Sequence, residues 1–184
     1  MVRNDEIVFQ IKNYQALAKL KVNDLLLKQL EDDQDLIDHK NYEGHVTASG
    51  LVIYKNRVLL IFHNRIKKWF QPGGHLEYSD KTLAEAAQRE VEEETGLKVK
   101  LSDWHIENNS PIMIDTHLIP AYKTIPPHFH HDFRYVFIPK DDNIKLQLEE
   151  VEDFAWVDIS DNKIKEEKSN IKAYELAKRL GLSR

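Results

Sequence analysis

Three glutamates carry the chemistry most open to this chain: Glu90, Glu93 and Glu94, within the run Arg89-Glu90-Val91-Glu92-Glu93-Glu94. If the run is helical, spacings of three and four residues bring their carboxylates to one side, where like charges cost roughly a few tenths of a kcal/mol per pair. A solvated charged face is one account of such a cluster. The other is a cation site, because grouped carboxylates and carbonyl oxygens are what hard divalent ions such as Mg²⁺ and Mn²⁺ take as ligands. The Pro72-Gly73-Gly74 turn just upstream lets a backbone carbonyl approach closely. At about 100° per residue, Ala84, Ala87 and Val91 form an adjoining apolar strip suited to packing on a sheet. The acidic side then belongs at the edge of a packed interface. Asp80 is the expected N-cap of this helix and Gly96 its expected stop.

The stretch from Gln71 to Leu97, QPGGHLEYSDKTLAEAAQREVEEETGL, resembles the box of the Nudix hydrolases, G-x5-E-x7-R-E-U-x-E-E-x-G-U, with U a bulky aliphatic residue. Its second half is complete in Arg89, Glu90, Val91, Glu93, Glu94, Gly96 and Leu97. The first half departs: counting from Gly74, the acidic position is Asp80 instead of Glu, and eight residues instead of seven separate it from Arg89. The extra residue is expected in the loop around Lys81, which leaves the pairing of Asp80 with Arg89 open. The run H-x-T-A-S at His45 to Ser49, the run W-x-Q-P-G-G-H at Trp69 to His75 and a histidine-rich strand are similar to a bacterial subgroup of the family.

The resemblance implies an α+β fold of the α/β/α Nudix-sandwich type: a mixed β-sheet with the box helix packed on it and a closing C-terminal helix. An N-terminal helical extension over residues 1–42 would precede a hydrolase domain over residues 43–184. It also implies Mg²⁺- or Mn²⁺-dependent hydrolysis of a diphosphate (pyrophosphate) linkage in a nucleoside-diphosphate-X type of small molecule. Glu90, Glu93, Glu94 and the Gly73 carbonyl are the implied metal ligands, and Glu90 or Glu150 the implied general base. Many family members carry such a glutamate shortly before a tryptophan strand; Glu150 lies six residues before Trp156, with Glu149 and Glu152 as alternates. An ordinary acidic loop is the other account of that segment. Arg89 is expected to orient the glutamates, pairing with Glu85 and Glu93, instead of meeting substrate. Two other classes stay open, a non-catalytic binding or regulatory module on the same fold and a metal-binding protein built on the histidines.

Composition narrows the field. The 184 residues are 41% hydrophobic and 31% charged, enough for one domain with a full core. A net charge of −5 suggests no general nucleic-acid electrostatics, so the partner that the resemblance implies is a small nucleotide-like substrate. The absence of cysteine excludes disulfides, a thiolate nucleophile and zinc–thiolate sites, and suits the cytoplasm. The first residues, MVRNDEIVFQ, are too acidic and too weakly apolar for a signal peptide, and no run reaches membrane-spanning length.

Residues 4 to about 38 read as a helical pair. Ile7, Ile11, Tyr14, Leu17 and Ala18 repeat near 3.6, with Asn4 or Asp5 as cap; Leu25, Leu26, Leu27 and Leu30 mark the second helix. The pair is expected to pack on the catalytic domain, with a homodimer contact or a substrate lid as alternatives. From His45 the period is two: Val46, Ala48, Gly50 and Val52 alternate with His45, Thr47, Ser49 and Leu51. Lys55-Asn56 is a turn before the apolar strand Val58 to Phe62, and Lys98 to His105 and Ile112 to Ile119 read as strands. The closing helix runs from Ile164 to Leu180 and stops at Gly181.

The run from His128 to Phe137 alternates too. If it is extended, Phe129, Phe133, Tyr135 and Phe137 face a core, and His128, His130, Asp132 and Arg134 face away. Upstream, Asp115 and His117 share a face, and the linker Pro120 to Pro127 could join the two segments as a hairpin with both polar rows on one side. Such a wall, with His75 from the box loop, has three readings. It is a solvent-facing surface, or a substrate contact in which Arg134 forks to phosphate and the histidines hydrogen-bond, or a second metal site using His128 and His130.

Overall fold

In the computed structural model of the protein, residues 1–158 and 168–182 are described. The sheet grows around β1 (Gly44–Tyr54), buried along nearly its whole length. From Gly44 to Val52 it pairs in parallel with β7 (His128–Pro139) on one side, and at Thr47 to Ser49 antiparallel with the short β4 (Gly73–His75) on the other. Its end pairs with β2 (Arg57–His63) through the expected Lys55-Asn56 turn, where both residues take positive φ, as tight hairpins require. β2 also pairs with β3 (Trp69–Phe70) and β8 (Val151–Val157). β5 (Val99–Leu101) and β6 (Met113–Ile119) both pair antiparallel with β7, giving a mixed sheet of eight strands.

The alternation in β1 sorts its side chains between two faces. Val46, Ala48 and Val52 join Phe133, Tyr135 and Phe137 of β7 in one core cluster, covered by Leu83, Ala86, Ala87 and Val91 of α3 (Leu83–Thr95). α1 (Asn4–Ala18) and α2 (Asp24–Glu31) add Ile7, Ile11, Tyr14 and Leu26 to that same cluster. Leu51 and Ile53 point the other way, into a second cluster with Val58, Leu60 and Val136, closed by Ala173, Tyr174 and Ala177 of α5 (Lys168–Arg179). The fold is therefore α+β with helices on both sides of the mixed sheet. Val2 donates its backbone N–H to the Asp80 carbonyl at 2.9 Å, tying the start of the chain to the box loop.

Several local expectations are corrected. α1 is capped by Arg3 without a side-chain bond, because Asn4 instead reaches Asp33 and the Gln34 carbonyl. Helix does not continue to residue 38: α2 ends at Glu31, and Asp35 and Asp38 turn their carboxylates onto the N–H groups of Ile37 and Lys40. Such side-chain-to-backbone bonds favour turns over helix. Only Val99–Leu101 of the segment Lys98 to His105 is strand; Ser102 then caps α4 (Asp103–Asn108). In the closing helix Ala173 and Ala177 are buried while Leu180 is exposed, and Ile164 lies outside the described residues. No helix among the described residues is long and apolar enough to cross a membrane.

Candidate functional site

The acidic helix starts at Leu83, capped by Thr82, whose Oγ1 accepts the Glu85 N–H at 3.1 Å. Asp80 is therefore not the cap. With Thr82 as the cap, Asp80 is available to another partner. Its carboxylate accepts Arg89 Nε at 3.2 Å and Nη2 at 3.1 Å, so the pairing left open by the sequence is made. Arg89 goes on to donate to Glu90 at 2.9 Å, to Glu93 at 3.0 Å and to the His75 carbonyl at 2.9 Å. The expected partner Glu85 instead turns back to the Lys81 N–H. One guanidinium thus fixes the loop and two of the three glutamates, a task its rigid fork of donors suits.

Glu94 is buried at 3% exposure and accepts the Gly73 N–H at 2.8 Å. Glu90 lies against Gly74, where a Cβ would stand 2.7 Å from its Oε2; at Gly73 a Cβ would meet that of Ser49 at 2.4 Å. The glycine pair is required by this close approach of loop, strand and helix. Burial raises the pKa of Glu94 to about 8, against the Gly73 N–H and with help from Glu90, Glu150 and Glu93. Burial likewise raises Glu90 to about 7, opposed by Arg89 and reinforced by Glu93 and Glu150. One buried and one partly buried carboxylate, both biased toward the proton near neutrality, are short of a counter-cation. An all-oxygen donor set of this kind fits Mg²⁺ or Mn²⁺. Glu93, half exposed, stands at the rim.

These carboxylates form one wall of a cleft of about 770 Å³. Its floor holds Thr47 and Ser49 of β1 and Asp132 of β7; its far side holds His75, His117 and His130; Glu149 and Glu150 stand at a lip just before β8. The hairpin of β6 and β7 sets Asp115 opposite Asp132 and His117 opposite His130, so the two polar rows share a side. Parallel pairing with β1 adds His45 beside His130, Thr47 beside Asp132 and Ser49 beside Arg134. Sequence reasoning missed that third row, since parallel pairing between strands so far apart leaves no local signal.

Within the wall the expected roles divide. Asp132 accepts from Ser49 Oγ at 2.6 Å, Thr47 Oγ1 at 3.3 Å and Arg134 Nη2 at 3.0 Å. Arg134 is only 1% exposed and outside the cleft lining, so the expected fork to phosphate is corrected: its guanidinium is engaged in holding Asp132. His128 is corrected similarly, being buried behind the lining. His130 and His117 do line the cleft. His117 pairs with Asp115 at 3.0 Å; burial works against its charge, yet Asp115 and Asp132 outweigh burial and raise its pKa. Arg65, from the connection between β2 and β3, also reaches the cleft and was not singled out from sequence, because nothing in its spacing marks it. Of the acidic alternates, Glu152 pairs with Lys67 and does not line the cleft.

A family model described as a NUDIX domain matches residues 44–180. The phosphatase NudJ of Escherichia coli K12 is 34% identical over 80 residues, covering 39% of this chain and 52% of that protein. The chain thus spans about half the length of the curated relatives it matches. Among solved structures, a NUDIX-family hydrolase from Clostridium perfringens superposes with a TM-score of 0.55 at 25% identity, over 76% of this chain and 99% of that one. A UDP-X diphosphatase aligns over 98% of this chain and 97% of its own with a TM-score of 0.53; at 14% identity the likeness is one of fold.

Proposed function

This chain belongs to the NUDIX domain family, and on that premise we propose that it hydrolyses a diphosphate linkage in a small nucleotide-like molecule of the nucleoside-diphosphate-X type. Glu90, Glu93 and Glu94, with the Gly73 carbonyl, would hold Mg²⁺ or Mn²⁺. The observation that carries the reading is the placement of buried Glu94 and partly buried Glu90 on one cleft wall, with both pKa values raised. A bound divalent ion supplies charge neutralisation at the phosphate oxygens and at the leaving group.

The chain's own residues do the rest. Arg89 holds Glu90 and Glu93 in place and is fully engaged in that task. Glu150 is the preferred general base: it stands at the lip and its charge acts on both Glu90 and Glu94, whereas Glu90 is tied to Arg89. Its work is to orient a water and accept its proton. His117, its charged form supported by Asp115, and Arg65 offer donors to substrate phosphates or hydroxyls.

The test is a panel of nucleotide sugars, dinucleoside polyphosphates, NADH, ADP-ribose and nucleoside triphosphates with Mg²⁺ or Mn²⁺, reading the phosphomonoester products by chromatography, or as phosphate freed from them by added alkaline phosphatase, for the wild type and for Glu94→Gln. A diphosphate-containing substrate should be cleaved by the wild type, with turnover at least ~10²-fold lower in the variant. Near-normal turnover of Glu94→Gln at saturating Mg²⁺ would remove Glu94 from the ligand set.

A further inference from the structure

Six of the nine histidines, His39, His45, His75, His117, His128 and His130, join in one network of ring contacts. Buried histidines usually earn their place by satisfying hydrogen bonds, and two outside the network do so. His105 bonds the Ser110 carbonyl and the Val136 N–H; His131 bonds Thr116 and Gln29. His45 differs. It is 1% exposed, its Nδ1 lies 3.1 Å from the Asn41 carbonyl, and its Nε2 has no hydrogen-bond partner among the described residues. His128 repeats the first half of the pattern, with Nδ1 at 2.9 Å from the Pro126 carbonyl, while its Nε2 meets only another imidazole nitrogen, Nε2 of His130 at 3.2 Å.

A carbonyl only accepts, so in both residues the proton sits on Nδ1 and Nε2 presents a lone pair. An imidazole whose outer N–H is held by a carbonyl while the other nitrogen stays bare is the arrangement of metal-ligating histidine. Ligand atoms of His45, His128 and His130 all lie within 4.8 Å of one another. Nitrogens bound tetrahedrally to zinc at about 2.0–2.1 Å are roughly 3.4 Å apart, so the His128–His130 pair already has that spacing. Burial lowers the pKa of His45 and His130, which keeps both in the neutral form a metal requires.

We propose that His45, His128 and His130 bind a late first-row divalent ion, Zn²⁺ or its analogues Co²⁺ and Ni²⁺, in a second metal centre separate from the carboxylates. Imidazole suits these ions, whereas carboxylates suit Mg²⁺ and Mn²⁺. Three protein ligands leave a coordination position open. His130 lines the cleft, and the His75 ring lies 5.1 Å from that of His45 and 5.2 Å from that of His130. His75 follows Gly74, which abuts Glu90, so one short strand spans from the imidazoles to the acidic wall.

The full-length protein, stripped with EDTA and dialysed, would be titrated with Co²⁺ in excess Mg²⁺ while visible absorption is recorded. One equivalent should give the d–d bands of four- or five-coordinate Co²⁺, and Zn²⁺ should abolish them. His45→Gln, His128→Gln and His130→Gln should each weaken Co²⁺ binding by at least ~10-fold, whereas Glu94→Gln should leave it unchanged. Absence of a stoichiometric band in the wild type overturns the proposal, as does its survival in all three histidine variants or its loss in Glu94→Gln. Should a variant fail to fold, nitrogen NMR of the histidine-labelled wild type decides. Zn²⁺ must shift the Nε2 resonances of three residues with the Nδ1 protons of His45 and His128 retained, and unchanged spectra sink the site.

Discussion

The acidic wall and the histidine wall face the same cleft and bury the same kind of thing, a set of like titratable groups, with opposite electrostatic results. On α3 burial pushes carboxylates up, Glu94 to about 8 and Glu90 to about 7. On β4 and β7 burial pushes imidazoles down, His75 to about 4 and His130 far below its ordinary value. A carboxylate forced into an apolar setting at neutral pH is an uncompensated anion, and one arginine must serve several of them. An imidazole in the same setting sheds its proton and becomes a neutral lone pair. The first wall is short of positive charge; the second is short only of something to coordinate or to hydrogen-bond. Similar crowding therefore selects different guests.

The acidic wall breaks most severely at its one cation. Arg89→Ala would leave Asp80, whose side chain is 6% exposed, as a buried anion without its partner, and would free Glu90 and Glu93. Removing one member of a buried pair costs about 3 kcal/mol or more. Denaturant unfolding should show a loss of that order for Arg89→Ala, with activity falling alongside. Arg89→Lys should recover part of the stability but little activity, since an ammonium does not reproduce the fork. A loss under about 1 kcal/mol in Arg89→Ala would mean that Asp80 finds compensation elsewhere.

The next effect separates the walls by the sign of their pH dependence. Glu94 has a folded pKa raised from 4.5 to about 8, so its stability contribution is full below 4.5 and is lost as pH rises through about 8. The depressed histidine of the other wall acts in reverse: His75, lowered from 6.5 to about 4, costs stability as pH falls below 6.5, and His105 and His131, outside that wall, add to the same arm. Metal-free wild type should then be most stable between these arms. Glutamine resembles the protonated glutamate, so Glu94→Gln should match wild type near pH 5 and melt at least about 4 °C higher near pH 8. Mg²⁺ should shrink or reverse that gap by stabilising the wild type alone. Equal melting temperatures at both pH values would show that Glu94 ionises without strain.

The two walls also differ in how far they could be read from the chain. The acidic wall is local: Arg89, Glu90, Glu93 and Glu94 sit within two turns of one helix, and their spacing alone brings them together. Even there the cap was misplaced, because Asp80 serves Arg89 across the loop and Thr82 is left to cap α3. The histidine wall was half legible. Alternation exposed the rows of β6 and β7, which a short hairpin connects. It could not reveal that β1 lies parallel to β7, so nothing in the sequence sets His45, with its unpartnered Nε2, beside the histidines of β7. Alternation also assigns a side without saying how deep a side chain lies. Arg134 is on the expected face, yet stays under the floor because Asp132 needs its charge there. The pairing of β1 with β7 is a long-range contact. The hairpin of β1 and β2 and the helices α1, α2, α3 and α5 carry local turn or periodicity signals, whereas α4 lies where alternation predicts strand.

The smallest effect belongs to the floor that joins the walls. Ser49 donates its hydroxyl to Asp132 at 2.6 Å and accepts from Gln71 at 3.2 Å, at the seam between the box loop and β7. Ser49→Ala removes one bond to a charged acceptor, while Thr47 and Arg134 still satisfy Asp132. A loss of about 1–2 kcal/mol is expected. In a chain of this length that corresponds to a melting temperature lower by about 3–6 °C. If the floor merely positions the walls, KM should rise by a few-fold and kcat should hold, since neither the glutamates nor Glu150 is touched. A fall of kcat by ~10²-fold with KM unchanged would instead make Asp132 a participant in the reaction, and the boundary drawn between the two walls would have to move to include it.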